Sequence, residues 1–388
     1  MVKPAKILTA SCGAHFFQDG LVALQYLLLP LIAQSLGLNY AQVGILRAVG
    51  HTAMSGFEIP AGMLADRMNP ANLLVFGLFC AAVGYVGISF SSDFTSLLLF
   101  FFIAGLGAAF QHSLASAMIV NALDTGARRR ALGVYNAFGD AGKLGYTGLL
   151  GLAMGAGLAW SSSIQILAGL VVVFGLWVLF GLSAQYQAVT KADSEKTEAK
   201  GRLIDGIVDA RKFLSVSLAV FLDSVIQAVF LTFIVFYLVE RGVSSSIAAL
   251  GVVLLLSGGM VGKFFCGWFA SRFGDCYTFF GLQAATAAAI GLLAIAHPDW
   301  LIYLLPLAGI VIQGSSTVTY GSVADFLKPD FQSRGYALIY TVSSVSSVVG
   351  PLVFGLIADS FSILTSIHLL ALLALLTLPL SFALSRRS

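Results

Sequence analysis

Apolar residues run along this chain in long blocks separated by short polar turns. A helix needs roughly 20 mostly apolar residues to cross lipid. The blocks predict twelve such spans. They cover 7–36, 40–64, 71–90, 95–123, 131–155 and 161–185, then 213–240, 245–270, 277–296, 300–326, 335–358 and 363–384. Membrane strands would show shorter alternating segments, and the sequence has none. The single long polar stretch, 186–212, reads as a solvated linker. The expected domains are a six-helix half at 1–185, that linker, and a second six-helix half at 213–388.

Ionisable positions inside the spans sort the helices. His15, Asp19, Arg47, His51, Glu58, His112, Asp140, Lys143, Asp223 and Lys263 fall on the first, second, fourth, fifth, seventh and eighth spans. The third, sixth and ninth carry none, and the twelfth has only His368 near one end. A charge facing lipid is costly, so such groups face a protein interior or water. The first set of spans is therefore expected to line a cavity and the second to face lipid.

Residues three and four apart share a helix face. Arg47, His51 and Glu58 make one stripe on the second span, and Asn136, Asp140, Lys143 and Thr147 another on the fifth. Arg47, His51, His112, Asn136, Asp140 and Lys143 are candidate substrate ligands. For Asp140 and Lys143 mutual neutralisation is an open alternative, as snorkelling is for Arg47 and helix bridging for His112 with Gln111. Asp19 lies about 18 Å into the first span, near mid-membrane. No cation lies within one turn of it on that helix, so it is expected to stand without one. With its neighbour His15, whose imidazole can share or relay a proton, and with Asp223, it is a candidate proton carrier. Asp66, Arg67, Glu58 and Lys263 are expected to act on conformation. Gly139, Gly142, Gly145, Gly148 and Gly151 recur at three-residue spacing and predict close helix packing.

The chain is 58% hydrophobic and 10% charged, with a formal net charge of +3. Soluble domains carry about 25% charged residues, so lipid is the solvent here. The small net charge gives no footprint for nucleic acid. The four cysteines, Cys12, Cys80, Cys266 and Cys276, are scattered, which predicts neither a disulfide framework nor a metal site. With the N-terminus cytoplasmic, Lys3, Lys6, Arg67, Arg128 to Arg130, the linker cations, Arg272, Lys328, Arg334, Arg386 and Arg387 lie inside, and only Arg241 outside. That bias predicts cytoplasmic termini. "SGGMVGKF" at Lys263 lacks P-loop spacing, so an ion gradient is the expected energy source, with no cofactor.

The halves repeat. "GLNYAQVG" leads to "GMLADRMNP" at Gly62, "GVSSSIAAL" leads to "GWFASRFGD" at Gly267, and Asp19 has a counterpart in Asp223. "GMLADR" resembles the loop signature of the major facilitator superfamily, and "GWFASR" is a degenerate copy. His15 with Asp19, and "GLGAAFQHS" around His112, are similar to the fosmidomycin-resistance-like branch. Ser113 follows His112 where that branch tends to carry proline. The resemblance implies an all-α polytopic membrane protein with two pseudo-symmetric six-helix halves around a central cavity. It also implies a secondary transporter.

The expected function is proton-coupled movement of a small organic anion or antibiotic-like solute across the cell inner membrane, efflux favoured. The expected partners are that solute, protons and lipid, and the expected state is a monomer. Uptake of an anionic nutrient is one alternative. An intramembrane enzyme or sensor on a transporter scaffold is another, should His15, His51 and His112 converge.

Overall fold

The computed structural model describes residues 4–65, 67–123, 125–182, 206–328 and 331–384. Asp66 and most of the expected linker lie outside these residues. Regular structure among them is helical. The helices are α1 (Pro4–Leu36), α2 (Tyr40–Leu64), α3 (Pro70–Phe90), α4 (Phe94–Ala109), α5 (His112–Ala122), α6 (Thr125–Gly155), α7 (Trp160–Gly181), α8 (Ala210–Glu240), α9 (Ser245–Phe273), α10 (Asp275–Ile295), α11 (Pro298–Ser322), α12 (Gln332–Ser360) and α13 (Ile363–Thr377). Short 3-10 turns at Val323–Phe326 and Leu378–Leu384 follow α11 and α13. One antiparallel bridge, Ile207 to Leu327, ties the chain before α8 to the turn after α11.

Local chemistry starts these helices. Asn69 accepts from the Ala71 N–H at 2.9 Å, with Pro70 in the first turn, where its missing donor costs nothing. Asp93 accepts from the Ser96 N–H at 2.9 Å, Asp209 from Lys212 at 3.1 Å, and Ser362 from Thr365 at 3.0 Å. Each satisfies a donor that the first helical turn leaves free.

The helix ends give the internal repeat a physical cause. Gly37 and Gly242 open the two matching segments and have φ of 65° and 87°. After each, the next N–H reaches back to the helix: Leu38 to the Ala33 carbonyl and Val243 to the Leu238 carbonyl, both at 3.0 Å. This is the bond of a glycine-terminated helix in the Schellman arrangement. Glycine alone takes that backbone without a Cβ penalty. Both halves therefore close their first long helix by the same device.

Ten helical runs among the described residues are long and apolar enough to cross a membrane, with Phe94–Ala122 counted as one. The two long helices outside that group are α2, with 25 residues, and α6, with 31. They are long enough to span and carry the two polar stripes seen in the sequence. α6 starts earlier than expected, at Thr125, so the arginine run lies in its first turns. There Arg128 Nε donates to the Leu123 carbonyl at 2.7 Å.

The fourth span is broken, where one helix was expected. α4 ends at Ala109 and α5 begins at His112. The turn tightens there, with Phe110 N–H on the Gly107 carbonyl and Gln111 N–H on that of Ala108. Tertiary contacts hold the break. Phe110 packs edge-on against Phe76, and Gln111 Nε2 donates to the Tyr135 hydroxyl at 2.7 Å.

The chain divides into two compact units. One contains Met1–Leu38 and Ile45–Ala192, the other Asn39–Gly44 and Asp193–Ser388. In the first, Leu73, Ala109, Phe110 and Leu114 pack around Ala61. In the second, Phe213, Val216 and Val220 of α8 pack with Phe279, Val318, Phe326 and Ile339. These apolar cores frame the buried polar groups described next.

Candidate functional site

In the first unit, α1, α5 and α6 bring five ionisable side chains together. α1 supplies His15 and Asp19, one turn apart. Asp19 Oδ2 lies 3.3 Å from His15 Nε2 and 3.1 Å from Lys143 Nζ, while Oδ1 lies 3.7 Å from His112 Nε2. Lys143 also reaches Asp140 Oδ1 at 3.3 Å. The break before α5 puts His112 at the start of a new helix, where its ring stands edge-on to His15 with centroids 5.1 Å apart. The His15 ring is fixed from behind, its Nδ1 donating to the Tyr135 carbonyl at 2.9 Å.

Glycine makes this cluster possible. A β-carbon at Gly139 would overlap the His15 ring, and one at Gly142 would strike the Phe16 carbonyl oxygen. α1 and α6 therefore approach closely enough for Lys143 to reach Asp19. Of the glycine series, Gly139, Gly142 and Gly145 meet α1, while nothing lies within 4 Å of a β-carbon at Gly148.

Lys143 corrects one expectation. Asp19 does not stand without a cation; its partner comes from another helix, which spacing along α1 cannot reveal. Lys143 is likewise shared between two carboxylates rather than free for an anionic ligand. Asn136, on the same predicted stripe, is exposed and outside the cluster. Thr147 bonds back to the Lys143 carbonyl at 2.7 Å.

Arg47 occupies a different place in the same unit and is 3% exposed. Its guanidinium donates to Gln25 Oε1 at 2.8 Å and to the Tyr26 hydroxyl at 3.4 Å, and it lies over the Tyr26 ring at 4.8 Å. Gln25 in turn donates to the Tyr85 hydroxyl at 3.2 Å. No carboxylate among the described residues pairs with Arg47, and its Nε has no partner. One turn on, His51 Nε2 is also buried without a partner. Gln18, 1% exposed, leaves both amide atoms unbonded.

In the second unit Asp223 is 3% exposed on α8. It accepts from Gln227 Nε2 at 2.8 Å, Gln283 Nε2 at 2.6 Å and Ser315 Oγ at 2.7 Å. All three donors are neutral, and no cation among the described residues contacts it. The two aspartates that the repeat pairs thus sit in opposite surroundings.

Glu58 and Lys263 are half-buried on α2 and α9, and Arg67 is exposed in the turn after α2. Sequence reasoning missed Gln25, Tyr26 and Tyr135, and in the second unit Gln283 and Ser315. The available signal was amide residues within apolar spans, Gln18 and Gln25 one heptad apart and Gln283 in the ninth.

Apolar helices of membrane-spanning length, with ionisable groups walled into the interior of each unit, define a multi-pass membrane protein. The sequence profile of the Major Facilitator Superfamily matches residues 12–260 and again 216–388. The chain belongs to that superfamily and is a transporter, not an enzyme. It is 28% identical over 142 residues to the uncharacterized MFS-type transporter YfnC of Bacillus subtilis (strain 168). That match takes in 37% of this chain and 34% of the relative, so it spans about a third of YfnC.

Solved structures agree over the whole length. A bacterial homologue of the human lysosomal transporter Spinster matches with a TM-score of 0.82 and 16% identity, over 100% of both chains. The nucleoside transporter NupG matches at 0.76 and 15%, over 97% of this chain and 98% of its own. The E. coli fucose:proton symporter FucP matches at 0.64 and 17%, over 100% of both. At such identities the likeness is one of fold.

Proposed function

We propose that this transporter is a proton-coupled exporter of a small solute carrying an anionic group, in the fosmidomycin-resistance-like branch of the superfamily. It works as a monomer in the cell inner membrane, with both termini cytoplasmic. The observation that carries the anionic substrate is Arg47. A buried cation with only neutral partners is held at a free-energy cost, and a carboxylate or phosphate offsets that cost on binding. Arginine presents a planar fork suited to either group. Lys143, engaged by two carboxylates, is no longer a first choice for this role, and Arg47 with His51 takes its place.

Asp223 is the coupling group in this reading. A proton on it neutralises a charge that nothing else in its shell offsets. Asp19 has an ammonium partner already. Efflux rests on the branch resemblance, and the cytoplasmic termini rest on the distribution of Lys and Arg.

Inside-out vesicles test the reading. Their lumen corresponds to the cell exterior, so an acidic lumen drives protons out and an exported anion in. A panel of organic carboxylates and phosphonates is offered with and without that gradient. At least one is expected to accumulate, Arg47→Gln to lower its uptake about tenfold or more, equivalent to about 1.4 kcal/mol, and Arg47→Lys to fall between. Gradient-independent behaviour across the panel defeats the coupled-anion reading. Uptake unchanged in Arg47→Gln defeats the role of Arg47.

A further inference from the structure

The His15 ring is fixed in a way that limits what its far nitrogen can do. Nδ1 lies 2.9 Å from the Tyr135 carbonyl oxygen. A carbonyl only accepts, so Nδ1 carries the hydrogen. In the neutral ring Nε2 is then a lone pair, and it faces Asp19 Oδ2 at 3.3 Å. His112 Nε2 approaches the other oxygen of the same carboxylate at 3.7 Å. One ligand atom from each of the three residues falls within 4.8 Å of the others. Asp19 Oδ2 and His15 Nε2 are both acceptors, and His112 Nε2 joins them in the tautomer that carries its hydrogen on Nδ1. Lys143 meets Oδ2 and Asp140 and leaves both imidazoles turned toward the carboxylate.

We propose that His15, Asp19 and His112 form a binding site for one divalent first-row transition-metal ion of the zinc and cobalt class. Tetrahedral zinc takes nitrogen and carboxylate oxygen at about 2.0–2.2 Å, which sets neighbouring ligand atoms about 3.4 Å apart. His15 Nε2 stands 3.3 Å from Asp19 Oδ2 and His112 Nε2 3.7 Å from Oδ1, so each imidazole lies near that edge length from one oxygen of the shared carboxylate. A metal-binding histidine commonly donates its other N–H to a carbonyl, which fixes the tautomer and the ring, and Tyr135 does this for His15. Two imidazoles with one carboxylate suit zinc, cobalt, nickel or iron rather than magnesium or calcium, which take oxygen shells.

A divalent ion on Asp19 still leaves Lys143 its contact with Asp140. Access agrees. The His15 and Asp19 side chains are 7% and 10% exposed, while His112 is 41% exposed. The group is closed behind and open at His112, the side from which an ion would enter. The site departs from the absence of metal expected from the cysteines, because cysteine spacing says nothing about histidines on two helices. It does not depend on the anion or coupling reading, since binding is measured on purified protein without transport.

The test uses tag-free full-length protein in detergent, stripped with chelator and titrated with Co2+. Visible absorption reports tetrahedral coordination, and elemental analysis after gel filtration reports stoichiometry. The expectation is one ion per chain, displaced by Zn2+, with a rise in melting temperature on Zn2+ addition. His112→Ala and Asp19→Asn each weaken binding about tenfold or more and lose the melting shift. His112 is half-exposed, so its variant is the one least exposed to misfolding, and a monodisperse elution profile verifies it. His368→Ala, at an exposed position on α13, binds as the wild type does. A wild type that retains no stoichiometric Co2+ or Zn2+ overturns the proposal. So does a well-folded His112→Ala that binds as tightly as the wild type, or a His368→Ala that loses the ion.

Discussion

Lys143 stands closer to Asp19, on another helix, than to Asp140 three residues before it on its own: 3.1 Å against 3.3 Å. One ammonium thus joins α1 to α6 and neutralises part of a cluster walled in by apolar helices. Removing one partner of a buried pair leaves the other charge uncompensated, at a cost of about 3–5 kcal/mol. The Lys143 side chain is 31% exposed, which places Lys143→Met at the lower end, about 3 kcal/mol. Adding Asp19→Asn removes the stranded charge. Thermal unfolding in detergent is expected to rank wild type above the double variant, and the double above Lys143→Met alone. A double variant no more stable than Lys143→Met would show that the two residues act independently.

The same helix pair depends on glycine at one point. Gly142→Ala drives a methyl into the Phe16 backbone, and backbone yields less readily than side chain, so about 1–3 kcal/mol should be lost. Gly148→Ala, six residues on, has nothing within 4 Å of the new carbon. It should be neutral or gain up to about 1 kcal/mol from helix propensity. Equal melting temperatures for the two variants would mean that the close crossing of α1 and α6 contributes little.

Much of this architecture was legible in the chain. Long apolar blocks give helices directly, and the choice of spans that carry charge follows from the cost of charge in lipid. Asp140 with Lys143 was visible because i, i+3 spacing is a property of one helix. Lys143 with Asp19 was not, because it depends on how far α1 and α6 approach. The glycine series pointed to such an approach without naming the partner. The break at Phe110 and Gln111 carries no proline, and it is fixed by Phe76 and Tyr135 from elsewhere in the fold. Matching Asp19 with Asp223 by the repeat said nothing of their surroundings, an ammonium for one and two amides with a hydroxyl for the other.

Orientation rests on the cations alone and has a direct test. In a variant lacking Cys12, Cys80, Cys266 and Cys276, single cysteines are placed at Ser194, in the expected linker, and at Asp299. The Asp299 side chain is 86% exposed in the first turn of α11. An impermeant maleimide added to intact cells should label Asp299→Cys and spare Ser194→Cys, and permeabilised cells should label both. The reverse pattern in intact cells would invert the topology.

The last prediction concerns coupling. Asp223 is enclosed by Gln227, Gln283 and Ser315, and its charge changes only if a proton comes or goes. Asparagine keeps the size and one acceptor oxygen, and Gln227 can turn its own amide to meet the new donor, so Asp223→Asn should fold. It fixes the site in a neutral form. A carrier locked in that form can still bind and exchange its anion across equilibrated membranes, since exchange moves no net proton. It cannot draw on a pH gradient. In inside-out vesicles with an acidic lumen, Asp223→Asn should therefore fail to accumulate the anion that the wild type concentrates. Exchange of labelled for unlabelled anion should remain within a few-fold of the wild type. Accumulation near the wild-type level would show that Asp223 is a structural acceptor for two amides, and the coupling group would have to be sought elsewhere.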